Sequence, residues 1–162
     1  MKKIKNILLA SILTMSAFTA TIMTSCNPDA CQDVICSNGG TCTDGTCSCP
    51  SGYEGASCET LSRTKFIGVY SGSETCTVGT DTYSITVTAN SDNVKFNVQN
   101  VYNQGFTAIG TANGNAFTIP SQTIGTGTTA SGSGVISGNT ITITYTITSA
   151  AATNTCTFIG TK

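Results

Sequence analysis

The side chains that could do chemistry in this chain are nine cysteines, eight carboxylates and seven cationic groups, among 162 residues that include no histidine and no tryptophan. Without imidazole, the commonest general base, the commonest zinc ligand and the usual partner of a nucleophilic Ser or Cys are missing. Catalysis would have to rest on carboxylates or on a metal held by oxygen. The acids are Asp29, Asp33, Asp44, Glu54, Glu59, Glu74, Asp81 and Asp92. Glycoside hydrolysis, for one, needs two carboxyl groups facing a single cleft, and the pattern places no two of these as such a pair. The expectation is a protein that is not an enzyme, with no catalytic residue, no cofactor and no metal.

Sulfur carries more. Six cysteines follow C-x4-C-x5-C-x4-C-x-C-x8-C between Cys31 and Cys58, in a segment almost free of aliphatic residues. A segment with so little to bury needs covalent bracing. Zinc is the rival, but no C-x2-C pair is present, so disulfides are favoured, and spacing alone leaves their pairing open. The stretches CSNGGTC at 36–42 and CSCPSGYEGASC at 47–58 resemble an epidermal-growth-factor (EGF) module, through the cysteines together with Gly39, Gly52, Tyr53 and Gly55. The resemblance implies bridges from Cys31 to Cys42, Cys36 to Cys47 and Cys49 to Cys58. It also raises calcium, which some EGF modules bind through acidic or amide residues before the first cysteine. Ala30 stands in that place here and TDGT at 43–46 is too short to supply the rest, so no calcium site is assigned.

Cys26 makes the count odd, and an odd cysteine in an exported chain asks for a reason. Lys2, Lys3 and Lys5 precede an apolar run from Ile7 to Met23 that ends at Ser25 and Cys26, which is the layout of a secretory signal over 1–25. MTSC at 23–26 resembles the lipobox of bacterial lipoproteins, although Met23 stands where Leu is usual. That resemblance implies a lipidated Cys26 at a new amino terminus, a tether over 26–30, and a place on the outer membrane of a cell envelope, facing either the periplasm or the surface. Acyl chains at ~0.8 kcal/mol per buried methylene hold such a protein on a membrane. The plainer reading makes Cys26 one more disulfide partner. After cleavage Arg63, Lys65, Lys95 and Lys162 face eight acids, a difference of −4.

Beyond a linker over 60–65, residues 66–162 are rich in Thr, Ser, Gly and β-branched types, and period-two alternation dominates. Tyr83, Ile85, Val87 and Ala89 alternate with Ser84, Thr86 and Thr88, and TITITYTIT at 140–148 does the same. Turn signals such as Asn113-Gly114-Asn115 and Gly138-Asn139 divide eight strands, near 66–78, 82–89, 94–101, 106–112, 116–123, 130–137, 140–149 and 154–160. Short links favour an antiparallel up-and-down meander, closed as a barrel or folded as a sandwich. Cys76 and Cys156 fall in the first and last strands, and a bridge between them would close the sheet.

The fold class is therefore mainly β: a disulfide-rich module over 31–59 followed by an eight-stranded barrel-like domain. Phe66-Ile67-Gly68-Val69-Tyr70 resembles the opening of lipocalin-like barrels, and 64–162 is similar to the β domains of secreted Bacteroidota lipoproteins. The functional expectation is a membrane-anchored binding module whose partner is another envelope protein or a glycan. The alternative is a carrier of a small apolar ligand, which Phe96, Phe117, Ile143 and Phe158 meeting at the barrel centre would exclude. Charged residues are only 9% of the chain and its formal charge is −1, which leaves no basic footprint for nucleic acid.

Overall fold

The computed structural model describes residues 29–162; the expected signal segment and Cys26 lie outside them. The small module has two short hairpins, β1 (Thr41–Thr43) with β2 (Thr46–Ser48) and β3 (Tyr53–Glu54) with β4 (Thr60–Leu61). Disulfides join Cys31 to Cys42, Cys36 to Cys47 and Cys49 to Cys58, the pairs that the EGF resemblance implies. With loops of about ten residues, each contributes just under ~3 kcal/mol in the chain-entropy account.

Residues 60–65, expected as a linker, are ordered into the fold. They form β4 and most of a 3-10 helix, Ser62–Phe66, because Phe66 at its end is fully buried.

Eight strands follow: β5 (Gly68–Cys76), β6 (Gly79–Ala89), β7 (Lys95–Val101), β8 (Phe106–Asn113), β9 (Ala116–Gly125), β10 (Thr128–Ser137), β11 (Thr140–Thr148) and β12 (Thr153–Thr161). Each pairs antiparallel with the next, and β12 pairs back on β5 to close a barrel. The sandwich alternative is excluded by that closure. Cys76 and Cys156 face one another across the seam and are bonded.

Alternation decides what fills the barrel. Ile141, Ile143, Tyr145 and Ile147 of β11 point inward and the threonines between them outward, so the threonine row is strand surface, as its β propensity favours. Elsewhere the outer face also carries exposed Val69, Ile109, Val135 and Ile159. Large and small residues share the interior. Phe66, Phe96 and Phe117 pack with ring centroids 5.1 to 5.2 Å apart. They fit because Gly110 lies under Phe96 and Gly134 under Phe117, where an added Cβ would come within 2.8 and 2.3 Å of the rings.

β9 contains Pro120, which has no N–H to donate. The ladder between β8 and β9 runs only from Thr111–Thr118 to Asn113–Ala116. Further along, the Gln122 side chain takes over as a strand would: its Oε1 accepts from Ile109 N and its Nε2 donates to Ile109 O, both at 2.8 Å.

Candidate functional site

Strand alternation gives the barrel two unlike ends. At one end lie the turns 90–94, 114–115 and 138–139, and here the 3-10 helix and the small module close the opening. Arg63 Nη1 donates to the carbonyls of Asn90, Asp92 and Lys95, at 2.7, 2.5 and 3.2 Å. Lys65 Nζ reaches Glu54 of the module at 2.8 Å and Asn115 Oδ1 at 2.6 Å. Lys162 Nζ donates to the carbonyls of Lys65 and Ile67 and lies 5.1 Å from the centre of the Tyr70 ring. Gly52, at φ +88°, touches Val94 so closely that a Cβ would meet its side chain at 2.2 Å. Lys95 pairs with Asp92 at 2.9 Å, and its hydrogen bond, with that of Val94 N, holds the Asp92 carboxyl below the usual carboxylate range. Every cationic side chain among the described residues is thus at this closed end.

The other end is framed by the turns 77–78, 102–105, 126–127 and 149–152. Just inside it is Glu74, only 3% exposed. Its Oε1 accepts from the Tyr83 hydroxyl at 2.8 Å and the Tyr145 hydroxyl at 2.5 Å. Burial first, and then the hydrogen bond to Glu74, push both phenols well above their ordinary value. The bond is natural chemistry for a half-dry setting, since a carboxylate accepts and a phenol donates. Asn154 completes the polar lining by donating to Tyr102 Oη at 2.8 Å and accepting from Thr77 Oγ1.

Glu74 and Asp81 are direct cross-strand partners of β5 and β6, so their side chains share a face. Asp81 Oδ1 accepts from Thr82 N and its Oδ2 from Asn103 Nδ2, each at 2.7 Å. Two adjoining hollows open at this mouth. One, of about 290 Å³, is lined by Glu74, Asp81, Thr80, Tyr102 and Gln104; the other, of about 280 Å³, has an apolar wall of Val78, Phe106, Ile147 and Ala152. They share Val78, Tyr102 and Gln104.

Deeper in the barrel the free space shrinks to about 10 Å³, lined by residues that include Ile143, Tyr145 and Phe158. That is about the size of one water. Phe96 and Phe117 are packed and buried beyond it, so the four residues whose packing was expected to decide against an internal ligand are all core.

Sequence reasoning missed the Glu74–Asp81 pair. With a turn expected at 79–81 and the second strand starting at 82, Asp81 stood outside the ladder. In the structure the turn is Thr77–Val78 and β6 begins at Gly79. The available signal was the alternation Tyr70, Gly72, Glu74, Cys76, which puts Glu74 on the same inward face as Tyr70. The other acids stay apart, with Glu54 on Lys65 and Glu59 Oε2 accepting from Ser57 N at 2.9 Å.

The architecture is a disulfide-bonded EGF-like module seated on the closed end of an eight-stranded antiparallel barrel. Comparison with known proteins agrees for the first part: residues 26–58 match the EGF-like domain family, a span that begins at Cys26 rather than Cys31. A stretch of 37 residues is 57% identical to the neurogenic locus notch homolog protein of Giardia intestinalis. That match covers 21% of this chain and 6% of the relative. No solved structure matches the chain, and the barrel is compatible with a lipocalin-like fold on its architecture alone.

Proposed function

We propose that this protein is a lipid-anchored binding module of a cell envelope, without catalytic activity, in which the EGF-like part contacts another envelope protein or a glycan. The observation that supports it most is cysteine parity. Four bridges use eight of the nine cysteines, and the remaining one is Cys26, at the end of the apolar run and just ahead of the module. A thioether to lipid gives that sulfur a role no disulfide within the chain can.

The arrangement at the barrel suits such a tether. The chain enters at the closed end, held there by Arg63, Lys65 and Gly52, so an anchor at Cys26 would leave the open mouth on the far side of the barrel from the module. A carrier of an apolar ligand inside the barrel gains no support from an interior with about 10 Å³ of free space.

The test is the intact mass of the chain extracted from membranes, followed by peptide mapping. The expected result is a chain that starts at an acylated Cys26 and carries no free thiol. An unmodified Cys26, or a Cys26 crosslinked to another chain, refutes the anchoring.

A further inference from the structure

We infer that the open mouth of the barrel is a binding site for a small organic ammonium compound, with its cationic group between Glu74 and Asp81. Like charges placed directly opposite on neighbouring strands are destabilising, and these two carboxylates are such partners. Neutral donors serve both, but no cationic side chain among the described residues lies beside them, because Arg63, Lys65, Lys95 and Lys162 are all engaged at the opposite end.

Glu74 supplies the independent sign of a missing partner. It is nearly completely buried, yet only Oε1 is hydrogen-bonded; among the described residues Oε2 has no partner. Nor is Oε2 sealed off, since Ser62 Oγ is the side-chain atom found both sealed and unpartnered among those residues. Glu74 lines the hollow of about 290 Å³. A buried carboxylate normally has its charge paired.

The surroundings choose the kind of cation. A metal ion wants several converging oxygens. The group of possible ligand atoms around Glu74 comprises the sulfurs of Cys76 and Cys156, and these are bonded to each other and offer no thiolate. An ammonium group needs less: two carboxylates to receive its N–H donors, and the Tyr102 ring, which lines both hollows and can face a cation. The adjoining apolar wall of Val78, Phe106, Ile147 and Ala152 fits the hydrocarbon part. A hollow of about 290 Å³ is at the low end for small-molecule pockets, which run from roughly 300 to 1,000 Å³. The site does not depend on lipidation.

Calorimetric titration of the full chain tests this with phenethylamine and hexylamine, against 2-phenylethanol, methyl glucoside and calcium chloride. Both amines should bind, and the neutral alcohol should bind about tenfold more weakly than phenethylamine or worse, the scale of one lost charge contact. Glu74→Gln should cut amine affinity about tenfold, and Asp81→Asn by several-fold, without altering the response to the alcohol. No amine binding up to millimolar concentration, equal binding of amine and alcohol, or calcium or glucoside binding that both substitutions abolish would each overturn the assignment. Should Glu74→Gln not fold, Asp81→Asn, at an exposed position, decides by itself: an unchanged amine affinity refutes the site.

Discussion

Raising the pH should unfold the barrel from the inside, through the phenol of Tyr145. Its hydroxyl is buried and donates to a carboxylate, two effects that both oppose loss of its proton. A group whose proton is held more tightly in the folded state stabilises that state fully below its unfolded pKa and loses the contribution as the pH climbs. For a phenol the loss begins near pH ~10 and proceeds at about 1.4 kcal/mol per pH unit for each retained proton. Two units higher, Tyr145 alone costs about 3 kcal/mol, a large share of the ~5–15 kcal/mol that holds a typical domain together. Tyr83 adds less, since it is only half-buried and solvent screens it.

Urea unfolding followed by far-ultraviolet circular dichroism at stepped alkaline pH measures the fall. Tyrosinate absorbance reports ionisation directly, with five tyrosines and no tryptophan in the chain. Tyr145→Phe should cost about 1.5–3 kcal/mol at neutral pH, through the lost charge-assisted bond, and should flatten the alkaline slope by about one proton. The comparison of variant with parent is what counts, because it isolates this one phenol. An identical alkaline fall in Tyr145→Phe, or all five phenols ionising while the barrel stays folded, would refute the reasoning.

Replacing both seam cysteines, Cys76→Ala with Cys156→Ala, opens a loop spanning a sequence separation of 80 and should cost on the order of 4 kcal/mol in denaturant unfolding; a loss below about 1 kcal/mol would mean the unfolded chain gains little freedom. Gln122→Ala removes both bonds to Ile109 and should lower stability by about 1–2 kcal/mol; a urea midpoint equal to that of the parent would show that water replaces the amide there. Gly52→Ala sets a Cβ against Val94 at a positive φ and should loosen the module from the barrel, read as faster proteolysis between residues 52 and 66. Unchanged cleavage would show that this contact does not hold the two together.

Much of the fold could be read from the residues because two simple rules cover most of it. Period two located all eight strands, and for TITITYTIT the ends agree within a residue, since a strand with one buried face has a single acceptable register. Cysteine spacing located the small module, because little else in that segment could hold it. What escaped were features made by several elements at once. The 3-10 helix depends on Phe66 finding the space between Phe96 and Phe117, and Gln122 matters only because Pro120 breaks the ladder beside Ile109. The mouth was hidden by a shift of a few residues in one turn: moving the hairpin from 79–81 to Thr77–Val78 brings Asp81 opposite Glu74. Acids that look scattered along the chain become a pair once that register is known.

Closure of the sheet has a consequence for how such a surface survives. Threonine alternating with isoleucine or tyrosine over nine residues, with no charge and no proline, is the composition that stacks into intermolecular sheets when a strand has unpaired N–H and C=O groups along one side. In this barrel β11 has neighbours on both sides, and the chain's first and last barrel strands are paired with each other. The Cys76–Cys156 bond keeps that last pairing from peeling open during brief thermal excursions. A covalent link at the seam therefore keeps the edges of β5 and β12 from becoming free, and with them the first step toward uncovering β11.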